Sequence, residues 1–277
     1  MTSSNRNRDR FRALAAETMD AVRAGSYSAH GRRVDIADQV AAAVAGTRLI
    51  LPDAPLAEGA PWSGATTVEV RDESSLAAAR RLGPGTACLV FASARNPGGG
   101  FLNGAQAQEE AIARSSALHA TQTVVPEFYE HHRRETSLLY SDRVIVSPDV
   151  PVFRDDDGAL LAEPHPVTFL TAAAPNRAAI ERNQPDDARA VTATLVRRAA
   201  RVLDVAAAHG SRRIVLGAWG CGVFGNDAAE VASAFAEALA ERPRFEHVTF
   251  AILDARPGQP VLGAFKGRLQ TSVARTR

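Results

Sequence analysis

Apolar residues recur along this chain with two different periods, and the change from one to the other indicates where helices and strands lie. Apolar positions three and four residues apart predict helices, whereas short β-branched runs bounded by glycine or proline predict strands. The helical pattern covers residues 8–23, 34–45, 76–82, 108–118, 186–209 and 227–241. The strand pattern covers residues 47–51, 66–70, 88–91, 144–147, 168–172, 213–218 and 248–253.

The order of these elements predicts an α/β fold. Strands and helices alternate after the first two helices, which is typical of a mixed sheet between layers of helices. We therefore predict an N-terminal helical extension at residues 1–60, packed on a single domain at residues 61–277. Within that domain, the acidic run at residues 154–158 predicts an exposed hairpin tip.

Composition narrows the class of protein. Lysine and arginine (32) nearly balance aspartate and glutamate (31), so no general field attracts a nucleic acid or an anionic membrane. The sequence has no apolar run of the length of a membrane span and no signal-peptide core. Only two cysteines occur, Cys88 and Cys221, and neither they nor the seven histidines have metal-ligand spacing. We expect a cytoplasmic protein without a cofactor or a catalytic metal.

Residues 96–110 form the first group with a chemical signature. Three consecutive glycines follow a predicted strand, and the next predicted helix begins with Gln-Glu-Glu. Glycines allow the backbone to approach a ligand closely and can form an anion-binding nest. Mutual repulsion and burial can raise the pKa of one of two adjacent carboxyl groups towards that of a general acid. The alternative is a mobile turn followed by a solvated helix start.

The run Asn-Pro-Gly-Gly-Gly-Phe, its spacer and Gln-Glu-Glu together resemble the catalytic signature of the bacterial-type poly(ADP-ribose) glycohydrolases. The resemblance covers roughly residues 66–265 and implies a macrodomain-like, three-layer α/β/α core with a mixed central sheet. It also implies that Glu110 is the general acid and base, while Glu109 orients the ribose hydroxyls. The substrate-binding residues that it implies in this segment are Asn96, Gly98, Gly99, Gly100, Phe101 and Gln108.

A second glycine-rich group lies at residues 217–227. Glycines at 220, 222 and 225 match a dinucleotide-binding pattern between a predicted strand and a helix. A Rossmann fold is nevertheless excluded, because only one strand and a short tail follow, and a plain tight turn remains the alternative. The resemblance instead implies a second phosphate-binding loop, in which Phe224 presses on the terminal ribose. Diphosphate would lie on Gly222, Val223 and Gly225.

Three other observations bear on the site. Val90 stands where an asparagine is frequent in the family, so a ribose contact made by that asparagine is missing here. His119 stands where a tyrosine is common. The pair Arg197 and Arg198 is expected on a solvated helix face. Cys221 lacks the flanking residues of a nucleophile elbow, so we do not assign it a catalytic role.

The resemblance implies an enzyme that hydrolyses the ribose–ribose bonds of poly(ADP-ribose) from the chain end and releases ADP-ribose. ADP-ribosylated proteins and the polymer would be its substrates. Three alternatives stay open: a hydrolase of single ADP-ribose groups, a macrodomain that binds ADP-ribose without cleaving it, and an α/β domain with an unrelated ligand. A non-catalytic domain has no need for the Gln-Glu-Glu triplet, so the triplet argues against a macrodomain that only binds ADP-ribose.

Overall fold

A seven-stranded mixed sheet crosses the centre of the computed structural model, which describes residues 3–57, 62–241 and 244–273. Its strands are β3 (Arg48–Ile50), β4 (Thr67–Arg71), β5 (Thr86–Phe91), β6 (Val144–Arg154), β7 (Leu160–Ala172), β8 (Arg213–Leu216) and β9 (His247–Ala251). Their spatial order is β3-β6-β7-β5-β8-β9-β4. A separate hairpin consists of β1 (Ser26–Ala29) and β2 (Arg32–Asp35).

The direction of the strands decides where a ligand can bind. Strands β7, β5, β8, β9 and β4 are parallel to one another. Strands β6 and β3 complete the β7 side of the sheet with antiparallel pairings. The carboxyl ends of the five parallel strands therefore lie along one edge, where open α/β sheets bind their ligands. The loops after β5, β8 and β9 meet at this edge.

Helices cover both faces of the sheet. They are α1 (Ser3–Ala24), α2 (Ala37–Gly46), α3 (Ser75–Leu82), α4 (Gln108–Ser115), α5 (Leu118–Thr123), α6 (Pro126–Arg134), α7 (Arg177–Asn183), α8 (Val191–Ala208), α9 (Ala228–Glu241) and α10 (Pro260–Val273). Helices α8, α9 and α10 bury Leu195, Phe235 and Phe265 on one face. Ala43 of α2 and Leu76 of α3 are buried on the other. The predicted three-layer arrangement with a mixed sheet and an N-terminal helix is confirmed.

Some predicted boundaries are wrong for identifiable reasons. The helix predicted at residues 108–118 ends at Ser115, because Ser116 is extended and forms a β-bridge with Val152. The helix predicted at residues 186–209 begins as a 3-10 turn, Pro185–Ala190, and becomes α8 at Val191. The predicted hairpin tip is confirmed, since residues 154–160 join the antiparallel strands β6 and β7.

The structure also contains elements that were not predicted and a buried arginine that was predicted to be solvated. The hairpin β1–β2 and helix α10 were not predicted. Arg198 is not solvated but fully buried: its Nε donates to Asp142 Oδ1 at 2.8 Å and its Nη1 to the carbonyl of Ala173 at 2.6 Å.

The boundary between residues 60 and 61 lies outside the described residues, so the division into extension and domain stays a prediction. Among the described helices, none has the length and apolar character needed to cross a membrane.

Candidate active site

A cleft of about 980 Å³ opens at the carboxyl edge of the parallel strands. This volume lies within the range of small-molecule sites, about 300–1,000 Å³. The loop after β5, the start of α4, the loop after β8 and the loop after β9 form its walls. Polar and aromatic side chains that face it include Ser93, Asn96, Gln108, Glu109, Glu110, Tyr140, Phe224, Asp254 and Arg256.

Gln108 fastens the start of α4 to the central strand β5. Its Oε1 accepts a hydrogen bond from the amide of Phe91 at 2.9 Å, and its Nε2 donates to the carbonyl of Leu89 at 2.7 Å. The same Nε2 lies 3.1 Å from Ser75 Oγ at the start of α3. The side-chain amide therefore pairs with the backbone of β5 as a neighbouring strand would, and it fixes the position of the two glutamates that follow.

Glu109 is a buried carboxyl group with both oxygens engaged. It is 2% exposed, and it accepts hydrogen bonds from the amide of Ser93 at 2.6 Å and from Nε2 of Gln122 at 3.0 Å. Burial raises the pKa of Glu109 to about 8, and the charge of Glu110 adds to the rise, while these N–H donors oppose it. The perturbed carboxyl group expected from the sequence is therefore Glu109.

Glu110 lies against the triple-glycine loop at the wall of the cleft. Its Oε1 accepts a hydrogen bond from the amide of Gly100 at 2.9 Å. A Cβ atom at Gly99 would be 2.4 Å from the same oxygen, and Gly99 has a φ of +58°. Only glycine satisfies both conditions. No hydrogen bond to Oε2 of Glu110 occurs within the described residues, which leaves this oxygen available to a substrate.

The amides of the triple glycine all donate within the protein. Gly98 donates to Gln122 Oε1 at 2.7 Å, Gly99 donates to the carbonyl of Asn96 at 3.0 Å, and Gly100 donates to Glu110. The predicted anion-binding nest is therefore wrong for these three amides, because none of them is free. The loop instead holds the carboxylate of Glu110, and the assignment of these glycines to substrate binding stays a prediction.

Phe101 lies behind the cleft and not on its surface. Its ring is fully buried, and it packs 5.0 Å from the ring of His119, centroid to centroid. A Cβ atom at Gly98 would be 2.8 Å from the Phe101 ring, so the aromatic side chain supports the glycine loop from below. Val90 is also fully buried, in the core on the other side of β5 from Phe91, and not in the cleft.

The loop between β8 and α9 presents free amides to the cleft. Gly220 and Gly225 have φ values of +72° and +68°, and the amide of Gly225 closes a turn onto the carbonyl of Gly222 at 3.0 Å. In contrast, the amides of Gly222, Val223 and Phe224 donate to no acceptor within the described residues. Successive free amides in a glycine-rich turn form an anion-binding concavity. The assignment of Gly222, Val223 and Gly225 to diphosphate binding stays a prediction, and the amide of Gly225 is already bonded within the turn.

Two aromatic side chains form one side of the cleft. The ring of Phe224 faces the cleft with its centroid 6.1 Å from that of Tyr140, while the side chain of Val223 is 90% exposed. Tyr140 has a φ of +58°, an uncommon conformation for a bulky residue. Its ring packs edge-on against the buried imidazole of His132, at 5.7 Å between centroids. This packing holds Tyr140 behind Phe224.

Two further side chains reach the cleft. Burial raises the pKa of the Cys221 thiol to about 12, so this cysteine is not an activated nucleophile. The carboxylate of Asp254 accepts hydrogen bonds from Arg256 Nε at 2.9 Å and from the amide of Val261 at 2.7 Å, near the start of α10. Chiefly the bond from Arg256 lowers the pKa of Asp254 to about 2. Asp254 therefore fixes the cleft wall that follows β9.

Comparison with known proteins decides the family. Residues 15–155 match the family model for the catalytic domain of microbial-type poly(ADP-ribose) glycohydrolase. The chain belongs to this family. The match includes both the triple glycine and the Gln-Glu-Glu triplet, so the resemblance read from the sequence is confirmed. No curated protein sequence matches the chain.

Solved structures of poly(ADP-ribose) glycohydrolases agree with this assignment. The enzyme from Thermomonospora curvata is 51% identical, with 94% of this chain and 100% of that one covered, at a TM-score of 0.86. A second structure of that enzyme, at 50% identity, contains the inhibitor ADP-HPD. The enzyme from Deinococcus radiodurans in complex with ADP-ribose is 47% identical, with 84% and 97% of the two chains covered, at a TM-score of 0.78. The macrodomain-like fold and the prediction of an enzyme of this family are confirmed.

Several members of the glycohydrolase site were not found from the sequence. Ser93 and Gln122 bind the carboxyl group of Glu109, and Tyr140 lies behind Phe224. Gln122 is fully buried although it is polar, but no local pattern distinguishes it from a solvated glutamine. The only available signal was at Ser93, which lies two residues after a predicted strand, at the edge of the sheet where ligands bind.

Proposed function

We propose that this protein hydrolyses the ribose–ribose O-glycosidic bonds of poly(ADP-ribose), removes units from the chain end and releases ADP-ribose. The observation that carries the proposal is the position of Glu110. One carboxylate oxygen is fixed by the amide of Gly100, and the other has no partner in the described residues. The cleft that this oxygen faces also contains the free amides of the loop after β8.

Glu110 performs two proton transfers in the proposed mechanism. It first protonates the oxygen that leaves C1 of the terminal ribose, as the bond to that oxygen breaks and positive charge develops on the ribose. Water then attacks this carbon, and the Glu110 carboxylate accepts the proton that the water loses. Glu109 does not act as a second proton-transfer group, because both of its oxygens are already bound inside the wall. It orients the ribose hydroxyls through its remaining lone pairs.

The rest of the cleft positions the substrate. The diphosphate lies on the amides of Gly222, Val223 and Phe224 and near the start of α9, while Gly225 allows the turn. The ring of Phe224 packs on the terminal ribose and has Tyr140 behind it. Asn96, at the exposed edge of the cleft, contacts the same ribose. Holding the ribose between Phe224 and Glu110 aligns the scissile bond with the free carboxylate oxygen.

The decisive experiment measures ADP-ribose release from purified poly(ADP-ribose) by the wild type and by Glu110→Gln, together with ADP-ribose binding to both by calorimetry. Loss of general acid–base catalysis lowers turnover by about 10²–10⁴-fold. We expect that loss with binding retained. Binding without turnover in the wild type would indicate a non-catalytic ADP-ribose-binding domain or a hydrolase of single groups, and the absence of both would exclude ADP-ribose as the ligand.

The product pattern and the acceptor are tested separately. Action from the chain end produces ADP-ribose monomers from the start of the reaction, whereas internal cleavage produces oligomers first. ADP-ribosylated proteins are the proposed natural substrates, and a protein carrying single ADP-ribose groups serves as the comparison. Faster release from that protein than from the polymer would favour the mono-ADP-ribosyl hydrolase. The cytoplasmic location stays a prediction from the cysteine content.

A further inference from the structure

Arg114 lies one helical turn after Glu110 on α4 and is buried, and no carboxylate in the part of the chain that the structure describes bonds to it directly. It is 6% exposed, and its Nη1 donates to the carbonyl of Ala105 at 2.6 Å. Burial lowers the pKa of Arg114, and the charge of Glu110 opposes this decrease. Keeping a guanidinium group out of water costs free energy. The buried position of Arg114 beside the loop at residues 98–105 therefore requires compensating contacts.

A chain of hydrogen bonds leads from Arg114 back to Glu110. The carbonyl of Ala105 accepts from Arg114, and the amide of Ala105 donates to the carbonyl of Gly100 at 3.2 Å. The amide of Gly100 then donates to Oε1 of Glu110. Because Glu110 and Arg114 are on the same helix, these bonds form a closed circuit of Arg114, Ala105, Gly100 and Glu110. The loop at residues 100–105 therefore cannot move without breaking a bond to one of them.

The N-terminal helix α1 covers this circuit from outside. The ring of Phe11 lies over the Arg114 guanidinium, with 4.3 Å between Cζ and the ring centroid, a cation–π arrangement. The hydroxyl of Thr18 donates to the carbonyl of Arg114. Arg8 Nε donates to the carbonyl of Asn103 at 2.9 Å. Helix α1 therefore contacts Arg114 and the loop at residues 100–105. Its residues Arg8, Phe11 and Thr18 do not line the cleft.

The fit between α1 and the loop is close. A Cβ atom at Gly104 would be 2.3 Å from the carbonyl oxygen of Arg8, and Gly104 has a φ of +74°. Ala15 of α1 is fully buried against Phe101 and Ala113. The helix packs tightly on the loop at residues 98–104 from the side opposite the substrate.

We infer that Arg114 is a positioning residue for Glu110 and that α1 holds it in place through Phe11 and Thr18. The N-terminal helix thereby acts in catalysis at a distance, without contact to substrate. This inference rests on the proposed function for its effect on turnover, but its structural part does not depend on that function. A displacement of the carboxylate by about 1 Å is enough to lower turnover by about 100-fold.

The test compares Arg114→Met, Arg114→Lys and Phe11→Ala with the wild type. The control is Arg12→Gln, an exposed position on the same helix that forms an ion pair with Asp9, at 3.5 Å. We expect Arg114→Met to lower kcat by about 10- to 100-fold, with the ADP-ribose Kd changed by less than about twofold. Arg114→Lys recovers part of kcat, Phe11→Ala lowers it less, and Arg12→Gln leaves it unchanged.

Amide hydrogen exchange of residues 98–105 supplies a readout that needs no activity. We expect faster exchange in this loop for Arg114→Met and Phe11→Ala, with unchanged exchange in the sheet. Unaltered exchange and unaltered kcat in Arg114→Met would overturn the inference. The inference would also be overturned if Arg114→Met and Arg114→Lys lost kcat, ADP-ribose affinity and melting temperature to the same extent as each other. That result would indicate general destabilisation. If the wild type shows no turnover, the proposed function fails while the exchange experiment still decides the positioning role.

Discussion

The carboxylate of Glu110 is hydrogen-bonded to the backbone amide of Gly100, with 2.9 Å between Oε1 and the nitrogen. This contact joins the two halves of the motif, the triple glycine and the Gln-Glu-Glu triplet, which are separated by seven residues in the sequence. It makes the triple glycine a support for the side chain of Glu110, the proposed acid and base, since its amides donate to Gln122, to Asn96 and to Glu110. The free amides that can bind diphosphate belong to the other loop.

Replacing Gly99 with alanine displaces Glu110. The new Cβ would be 2.4 Å from Oε1, so the carboxylate has to move. We expect Gly99→Ala to lower turnover of poly(ADP-ribose) by about 100-fold. The positive φ adds a cost of about 1–2 kcal/mol in unfolding free energy. Gly210→Ala is the matched control, because Gly210 also has a positive φ, +79°, but no atom within 4 Å of the added Cβ. It should lose stability and keep its turnover.

Removing the ring of Phe224 weakens the hold on the terminal ribose. We expect Phe224→Ala to lower kcat/KM for the polymer by about 5- to 30-fold, the equivalent of about 1–2 kcal/mol for a lost aromatic contact. Phe224→Tyr keeps the aromatic face and should retain most of the activity. Steady-state kinetics on polymer of defined length measures the effect. Equal activity in the alanine and tyrosine variants would show that the ring does not contact substrate.

The buried carboxyl group of Glu109 makes stability depend on pH. Its pKa is raised from 4.5 to about 8 in the folded protein. Between these values the unfolded chain loses the proton and the folded protein keeps it, so this group's contribution to stability is lost as pH rises from about 5 to 8. Glu109→Gln removes the titration, and we expect a flatter dependence of the urea midpoint on pH, even if the variant is less stable throughout.

The control for this pH experiment is Glu163→Gln in β7. Glu163 is exposed in the folded protein, and its replacement should leave the wild-type slope of the urea midpoint between pH 5 and 8 unchanged. If Glu109→Gln has the same slope as the wild type and the control, then Glu109 is ionised in the folded protein over the whole range. The two N–H donors to its oxygens would then outweigh its burial.

Both cysteines should resist alkylation in the native protein. Burial raises the pKa of Cys88 and of Cys221 to about 12, so little thiolate exists at pH 8, and Cys88 is fully buried as well. Mass spectrometry after treatment with iodoacetamide should find both unmodified, whereas urea-unfolded protein should react at both. Fast alkylation of Cys221 in the native state would reopen its role as a nucleophile.

Most of the sheet was predictable because strand formation depends on local pattern. The buried runs that became β5, β8 and β9 are short and β-branched, and glycines bound the loop after β8. The prediction was wrong where a distant partner intervenes: α4 ends at Ser115 because the next residue, Ser116, bridges to Val152. Arg198 was assigned to solvent because its acceptors, Asp142 and Ala173, are far away in the sequence.

The sequence by itself determined the α/β class, the two glycine-rich loops and the spacing of the triple glycine and the glutamates, since these follow from local periodicity and motif. Only the tertiary structure decided which amides are free and which of the two glutamates is buried. It also decided that α1 covers Arg114. These properties depend on hydrogen bonds and burial between segments that meet only when the sheet brings them to one edge.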